Sequence, residues 1–266
     1  MRSTLTTRNT KLILGGALLA LVGLLMIAGC GGKGGVETAA ELTGMDKIIA
    51  QYIEATGGRD AYLGHDNMKM TGSFSMPAMG ITAPLEAYLA VGLKTHTKIT
   101  SDAIGTIERG SNGDVFWEKS MMSGARIIEG TERAIERRGA DFRAWLNWRE
   151  HYTSAEIMGQ EELDGKLCDK VVAMPKEGKP ETVWFDAETY LIVKSSSVLV
   201  TEMGEISVEA YPSDYRMAGD VMVPFKTRQV IMGVQEMIIQ AETVQWDVDI
   251  PEGLFDLPED IQALVK

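Results

Sequence analysis

The stretch Val183-Trp184-Phe185-Asp186-Ala187-Glu188-Thr189-Tyr190-Leu191-Ile192-Val193 decides the fold. Val183 and Phe185 are an i, i+2 pair, and so are Leu191 and Val193, which is the period of a strand. Between them Asp186-Ala187-Glu188 is turn chemistry, so the stretch predicts two antiparallel strands. The same grammar repeats outward. Asp164-Gly165, Glu177-Gly178, Met203-Gly204 and Gly219-Asp220 separate segments carrying Val171, Ala173, Ile206, Val208, Val221, Val223, Ile238 and Val244 at alternating positions. Upstream, Met68, Met70, Phe74 and Met76 alternate, as do Leu85, Ala87, Leu89 and Val91. Asn112-Gly113 marks a hairpin turn before Asp114-Val115-Phe116-Trp117-Glu118. The result is an antiparallel meander of about ten or eleven strands.

Two helices accompany it. Met45, Ile48, Ile49, Tyr52 and Ile53 make one apolar stripe, with Thr43 as cap and Gly57-Gly58 as stop. Thr131 to Glu150 interrupts the strands and reads as one inserted helix packed on the sheet, with Phe142, Trp145, Leu146 and Arg149 at helical spacing. Glu259 to Val265, after Pro258, reads as a final helical turn. A sheet this long curls, since twisted sheets seldom stay flat beyond about ten strands. One face is apolar throughout and two helices cannot cover it. The expected fold is therefore mainly β: a strongly bent antiparallel sheet forming an incomplete β-barrel, lidded by helices, over residues 45–266.

The N-terminus carries a different kind of information. Arg2, Arg8 and Lys11 precede an uncharged run from Leu12 to Gly29, the pattern of an export signal. The run is nearly long enough to span a bilayer, so an uncleaved membrane anchor is the competing reading. Its end decides: Ile27-Ala28-Gly29-Cys30 resembles the lipobox of bacterial lipoproteins. That resemblance implies cleavage of the signal 1–29 between Gly29 and Cys30 and acylation of Cys30. Residues 30–44, opening with Gly31-Gly32-Lys33-Gly34-Gly35, read as a flexible tether spanning roughly 20 Å.

Charge excludes some partners. The whole chain has net charge −12, and loss of three basic residues with the signal leaves −15. Nucleic acid is excluded, because phosphate binding needs clustered Lys and Arg. Anionic headgroups repel such a chain overall, so the lipid tether has to hold it at the membrane.

The order of lipobox, amphipathic helix, meander and mid-chain insertion resembles the LolA/LolB superfamily of periplasmic lipoprotein carriers, and more narrowly the outer-membrane lipoprotein-sorting or LolA-like domain proteins. The likeness rests on Tyr52-Ile53-Glu54-Ala55-Thr56-Gly57-Gly58, Gly113-Asp114-Val115-Phe116-Trp117, Glu162-Leu163-Asp164-Gly165-Lys166, Trp184-Phe185-Asp186-Ala187-Glu188-Thr189-Tyr190-Leu191 and Val223-Pro224-Phe225. It implies an incomplete barrel with helices over an apolar cavity for acyl chains. The partners it implies are lipid acyl chains or lipoproteins and, beside them, a protein of the envelope.

Catalytic signals are sparse. His65, His96 and His151 have no zinc-ligand spacing, and neither a nucleophile elbow nor a phosphate loop occurs. Cys168 reads as a small buried hydrophobe. Neither an enzyme nor a cofactor is expected. Phe74, Trp117, Phe142, Trp145, Trp184, Phe225 and Trp246 are the candidate cavity lining and lid, against the plainer reading of core packing. The hairpin tip Met76-Pro77-Ala78-Met79-Gly80-Ile81 is apolar where turns are ordinarily polar, so Met76, Met79 and Ile81 are candidate membrane or cargo contacts. The expected function is a membrane-anchored envelope lipoprotein binding acyl chains in lipid or lipoprotein sorting. The alternative is a structural or interaction lipoprotein whose curved sheet is filled by its own side chains. Gly31, in the position where Asp retains some lipoproteins in the inner membrane, leans towards the periplasmic face of the outer membrane.

Overall fold

Thirteen strands form: β1 Asn67–Met76, β2 Ile81–Ala90, β3 Lys94–Ser101, β4 Gly105–Asn112, β5 Phe116–Ser120, β6 Gly124–Ile127, β7 Tyr152–Leu163, β8 Lys166–Pro175, β9 Glu181–Asp186, β10 Ile192–Thr201, β11 Gly204–Ala218, β12 Val221–Ile231 and β13 Gln235–Trp246. These elements come from a computed structural model that describes residues 44–201 and 204–265. The signal, Cys30, the tether to Thr43 and Met203 lie outside the described residues.

The strands make one antiparallel sheet in the order β6-β5-β4-β3-β2-β1-β13-β12-β11-β10-β9-β8-β7. It is a curved, unclosed half-barrel. β1 to β6 form one meander and β7 to β13 a second, and the first and last strands meet in the middle. The free edges β6 and β7 are therefore consecutive in the chain. Whatever joins them must cross from one edge of the sheet to the other.

That connection is the inserted segment, and it is two helices rather than one. α1 Met45–Ala55 and α2 Arg59–Leu63 precede the sheet; α3 Gly130–Ala140 and α4 Trp148–His151 lie in the crossing, and α5 Glu259–Gln262 follows the last strand. Asp141 leaves the helical region with φ −96° and ψ 94°, ending α3. The break lets Phe142 enter one apolar cluster and Trp145 another, which no straight helix could do.

The larger cluster is the concave face of the central strands: Met68, Met70, Phe74 and Met76 of β1, Leu85 of β2, Phe225 and Ile231 of β12, Met237 and Ile239 of β13, with Ile135 and Phe142 from the crossing. The smaller joins Met45, Ile48, Ile49 and Tyr52 of α1 to Val171, Val183, Phe185 and Ile192 beneath, with Trp145 between. α1 stops where the sequence places its stop. Gly57 has φ +122°, and a Cβ there would lie 2.2 Å from the Asp220 carbonyl, so only glycine lets the β11–β12 turn approach.

Candidate functional site

The site is built on the concave face and the crossing segment that covers it. Three sets of contacts fasten this lid. At its middle, Arg143 Nε donates to the Tyr62 carbonyl at 3.2 Å, and its Nη2 donates to the His65 carbonyl. At its far end, Trp148 Nε1 donates to Asp46 Oδ1 at 3.2 Å, and Arg149 holds both Asp46 oxygens at 2.6 and 2.7 Å. From α3, Arg138 pairs with Glu181 of β9, whose other oxygen accepts from Tyr152 Oη at 2.8 Å. Within the lid, Trp145 sits in an aromatic cage, 6.0 Å from Tyr52, 5.9 Å from Phe185 and stacked at 6.3 Å on Tyr152. Trp145 Nε1 is buried with no hydrogen-bond partner among the described residues.

The corner on which Phe142 lands is held by a charged histidine. His65 Nδ1 lies 2.6 Å from Asp247 and Nε2 2.6 Å from Asp220. Donating to two carboxylates requires both ring nitrogens protonated. Burial opposes that charge, but the hydrogen bonds from Asp247 and Asp220 outweigh it and raise the imidazole above its ordinary value. His65 stacks on Trp246 at 4.8 Å, and Phe142 packs on the same indole at 5.5 Å.

Five of the seven aromatic candidates face the concave side or the lid: Phe74, Phe142, Trp145, Phe225 and Trp246. Trp117 and Trp184 do not, and strand alternation is the reason. Pairing of Val183 with Val171 and Ser195 turns Val183 and Phe185 inward, so Trp184 between them faces out. There it lies between Lys170 and Lys194 and donates to Glu161 at 3.2 Å. Phe116 and Glu118 face inward on β5, which leaves Trp117 on the convex face over Gly110, where a Cβ would come within 2.7 Å of its ring. The hairpin tip is corrected in the same way. Met76 and Ile81 pair across β1 and β2 and are buried in the core; Met79 alone projects, 47% exposed.

Sequence reasoning missed a buried ionic network on the concave face under α3. Arg109 of β4 reaches Glu118 at 3.3 Å and both Glu132 and Glu136 at 3.1 Å, while Arg126 reaches Glu118 at 3.2 Å and Glu132 at 2.7 Å. Burial pushes the Glu136 carboxyl up to about 7, against the pull of Arg109. The available signal was charge in the inward phase, since Arg109 alternates with Ile107 and Ser111, and Glu118 with Phe116. Beside the lid, Val91, Gly92, Leu93, Arg137, Phe142 and His151 border an open cleft of about 180 Å³. That is smaller than the roughly 300 Å³ at which small-molecule pockets begin. Cys168 is fully buried, and burial raises its thiol, as suits an inert side chain.

No family model matches the chain. No curated protein matches it either. Solved structures do. A LolA superfamily protein from Nitrosomonas europaea aligns with TM-score 0.55 at 10% identity over 81% of this chain and 99% of its own. The fold is similar to that of this LolA superfamily protein. A DUF1329 family protein from Desulfovibrio piger aligns with TM-score 0.56 at 12% identity, covering 81% of this chain and 98% of that one. An outer-membrane lipoprotein-sorting protein domain from Vibrio parahaemolyticus aligns with TM-score 0.52 at 11% identity, covering 79% and 95%. At such identities the LolA-like likeness describes architecture and carries no residue roles.

Proposed function

We propose that this is a lipid-anchored protein of the bacterial envelope whose concave sheet face takes the acyl chains of a lipid or lipoprotein when the crossing segment lifts. The anchor in this reading is acylated Cys30, and Gly31 after it favours the periplasmic face of the outer membrane. The observation that carries the proposal is the lid itself: one segment joins the two free edges of an open sheet and covers its apolar face. The wall beneath is rich in methionine, with Met68, Met70, Met76 and Met237 buried together. Unbranched thioethers repack around varied shapes, which suits a chain of no fixed conformation.

Lifting the lid exposes Ile135 and Phe142, at roughly 1.5–3 kcal/mol each, and also breaks the Arg143 bonds and the Trp145 cage. An acyl chain leaving water gains about 0.8 kcal/mol per CH₂, so the exchange calls for a long chain. No covalent step is involved. The competing reading, an interaction scaffold, draws on the packing of the concave face, where Phe74, Met68, Ile231 and Met237 are fully buried. Titrating the mature protein with a fatty acid while following tryptophan emission separates the two. Acyl binding predicts a saturable shift that Trp145→Phe diminishes; a flat response under saturating ligand supports the scaffold.

A further inference from the structure

Hairpins leave the sheet alternately at its two ends, and at one end a run of neighbouring turns is apolar, while the β8–β9 turn farther along that end (176–180) carries Lys176, Glu177 and Lys179 and the β10–β11 turn lies outside the described residues. Four neighbouring turns lie in a row there: β5–β6 (121–123), β3–β4 (102–104), β1–β2 (77–80) and β12–β13 (232–234), set by the strand order. With strands about 4.8 Å apart, the row extends over roughly 29 Å. Met121 is 82% exposed, Val234 84%, Met232 50%, Met79 47% and Met122 42%. Tips of this kind are normally Gly, Asn, Asp or Ser, for reasons of backbone conformation and solvation. Asp102 is the only charged residue within the four turns. The turns at the opposite end carry Asp114, Asp164, Glu188 and Asp220 and no basic residue.

We infer that this row of hairpin tips is a docking edge for a lipid bilayer. Two features select a bilayer over other occupants. By composition, the Gly-rich chain between Cys30 and Gly44 would span roughly 20 Å, so a domain anchored at Cys30 would stay within its own width of the membrane. This step rests on the proposed anchor. The charge contrast then orients the domain, because an anionic surface repels the acidic end and leaves the end with the apolar row, whose β8–β9 turn adds Lys176 and Lys179 against Glu177, to approach it. Met79, the exposed one of the three hairpin candidates named from the sequence, becomes part of a larger surface. Docked there, the domain has a fixed attitude, and its lid lies at a constant height above the lipid.

The test uses the mature, full-length protein reconstituted into phosphatidylethanolamine–phosphatidylglycerol vesicles. Met121→Cys, Val234→Cys and, at the opposite end, Asp164→Cys are each labelled with an environment-sensitive fluorophore; native Cys168 is buried and stays unlabelled, and the protein without an introduced cysteine, labelled in parallel, gives the signal of any unacylated Cys30 to be subtracted. Bilayer docking predicts a severalfold emission rise with a blue shift at 121 and 234, quenched by bilayer-embedded nitroxides, and no change at 164. Equal, water-like emission at all three sites overturns it. So does a rise at 121 and 234 that depends on protein concentration without vesicles, which assigns the row to a second copy. Intact mass of the same sample reads the anchor separately. Acylated Cys30 with water-like tips overturns the docking edge alone; unmodified protein whose tips respond to vesicles overturns the anchor alone.

Discussion

Glu136 and His65 are ionisable groups whose surroundings push them in informative directions. Glu136, held at about 7 by burial, binds a proton in the folded state that the unfolded chain releases near 4.5. Its folded pKa is raised, so its cost to stability grows from about pH 4.5 to 7 and is complete above that. Glu136→Gln should therefore raise the melting temperature by a few degrees at pH 8 relative to the native protein and change it little at pH 4.5, by thermal denaturation across pH. His65 behaves oppositely. Its raised pKa adds stability that is fully present below the ordinary histidine value of about 6.5 and is lost as pH rises through the folded value. Asp220, Asp247, Trp246 and, through its carbonyl, Arg143 are the groups that face it. The stability gap between native protein and His65→Gln should be widest at about pH 6 and close in alkaline solution. A gap independent of pH would show that His65 is neutral there. The His65 environment is not legible in sequence, because His65 lies more than 150 residues from both Asp220 and Asp247.

Elements were legible to the degree that they carry an apolar stripe. α1, β1, β2 and β12 follow the periodicity closely, and Gly57-Gly58 ends α1 where expected; in β13 Met237, Ile239 and Ala241 face inward and Ile238 does not, and a register shift opposite Thr71/Gly72 changes the phase before Val244. β3 and β4 are harder to read because their inward positions hold polar groups: Thr97, whose Oγ1 has no hydrogen-bond partner among the described residues, Ser111, which accepts from the Gly113 N–H, and Arg109, which pairs with Glu118 and with α3. β6 is only four residues long. Those strands account for thirteen where about ten or eleven were expected. Phe142 and Trp145 sit three apart, a helical spacing, yet both lie in the turns between α3 and α4 and serve different clusters. Trp117 and Trp184 were misplaced because a large aromatic in a strand looks inward by composition; only register reveals its face. The lid yields its own prediction. Arg143→Ala removes charge-assisted bonds to the Tyr62 and His65 carbonyls, worth roughly 1.5–3 kcal/mol each. Hydrogen exchange of residues 141–147 should accelerate more than tenfold while β12 and β13 keep their protection. Equal acceleration throughout would show that the lid does not open apart from the sheet.

At the scale of the molecule, topology connects these parts. The first and last strands meet at the centre of the sheet, so its free edges are joined by a segment that crosses the concave face, beside α1 and α2, which pack on the same face. The half-barrel was foreseeable from strand number and alternation, and the lid from the interruption of the meander. The state of the concave face was not, because packing density depends on how side chains interlock after the sheet has bent. In the closed arrangement that face is filled by the protein's own residues. Acyl binding thus requires exchange of lid for ligand. Native mass spectrometry of the protein extracted gently from its own membranes tests that claim most directly. The account predicts a population carrying, beyond acylated Cys30, the non-covalent mass of one further lipid or acylated peptide, released on collisional activation. A single species at the mass of the acylated chain alone, under conditions that preserve other lipid complexes, would contradict it.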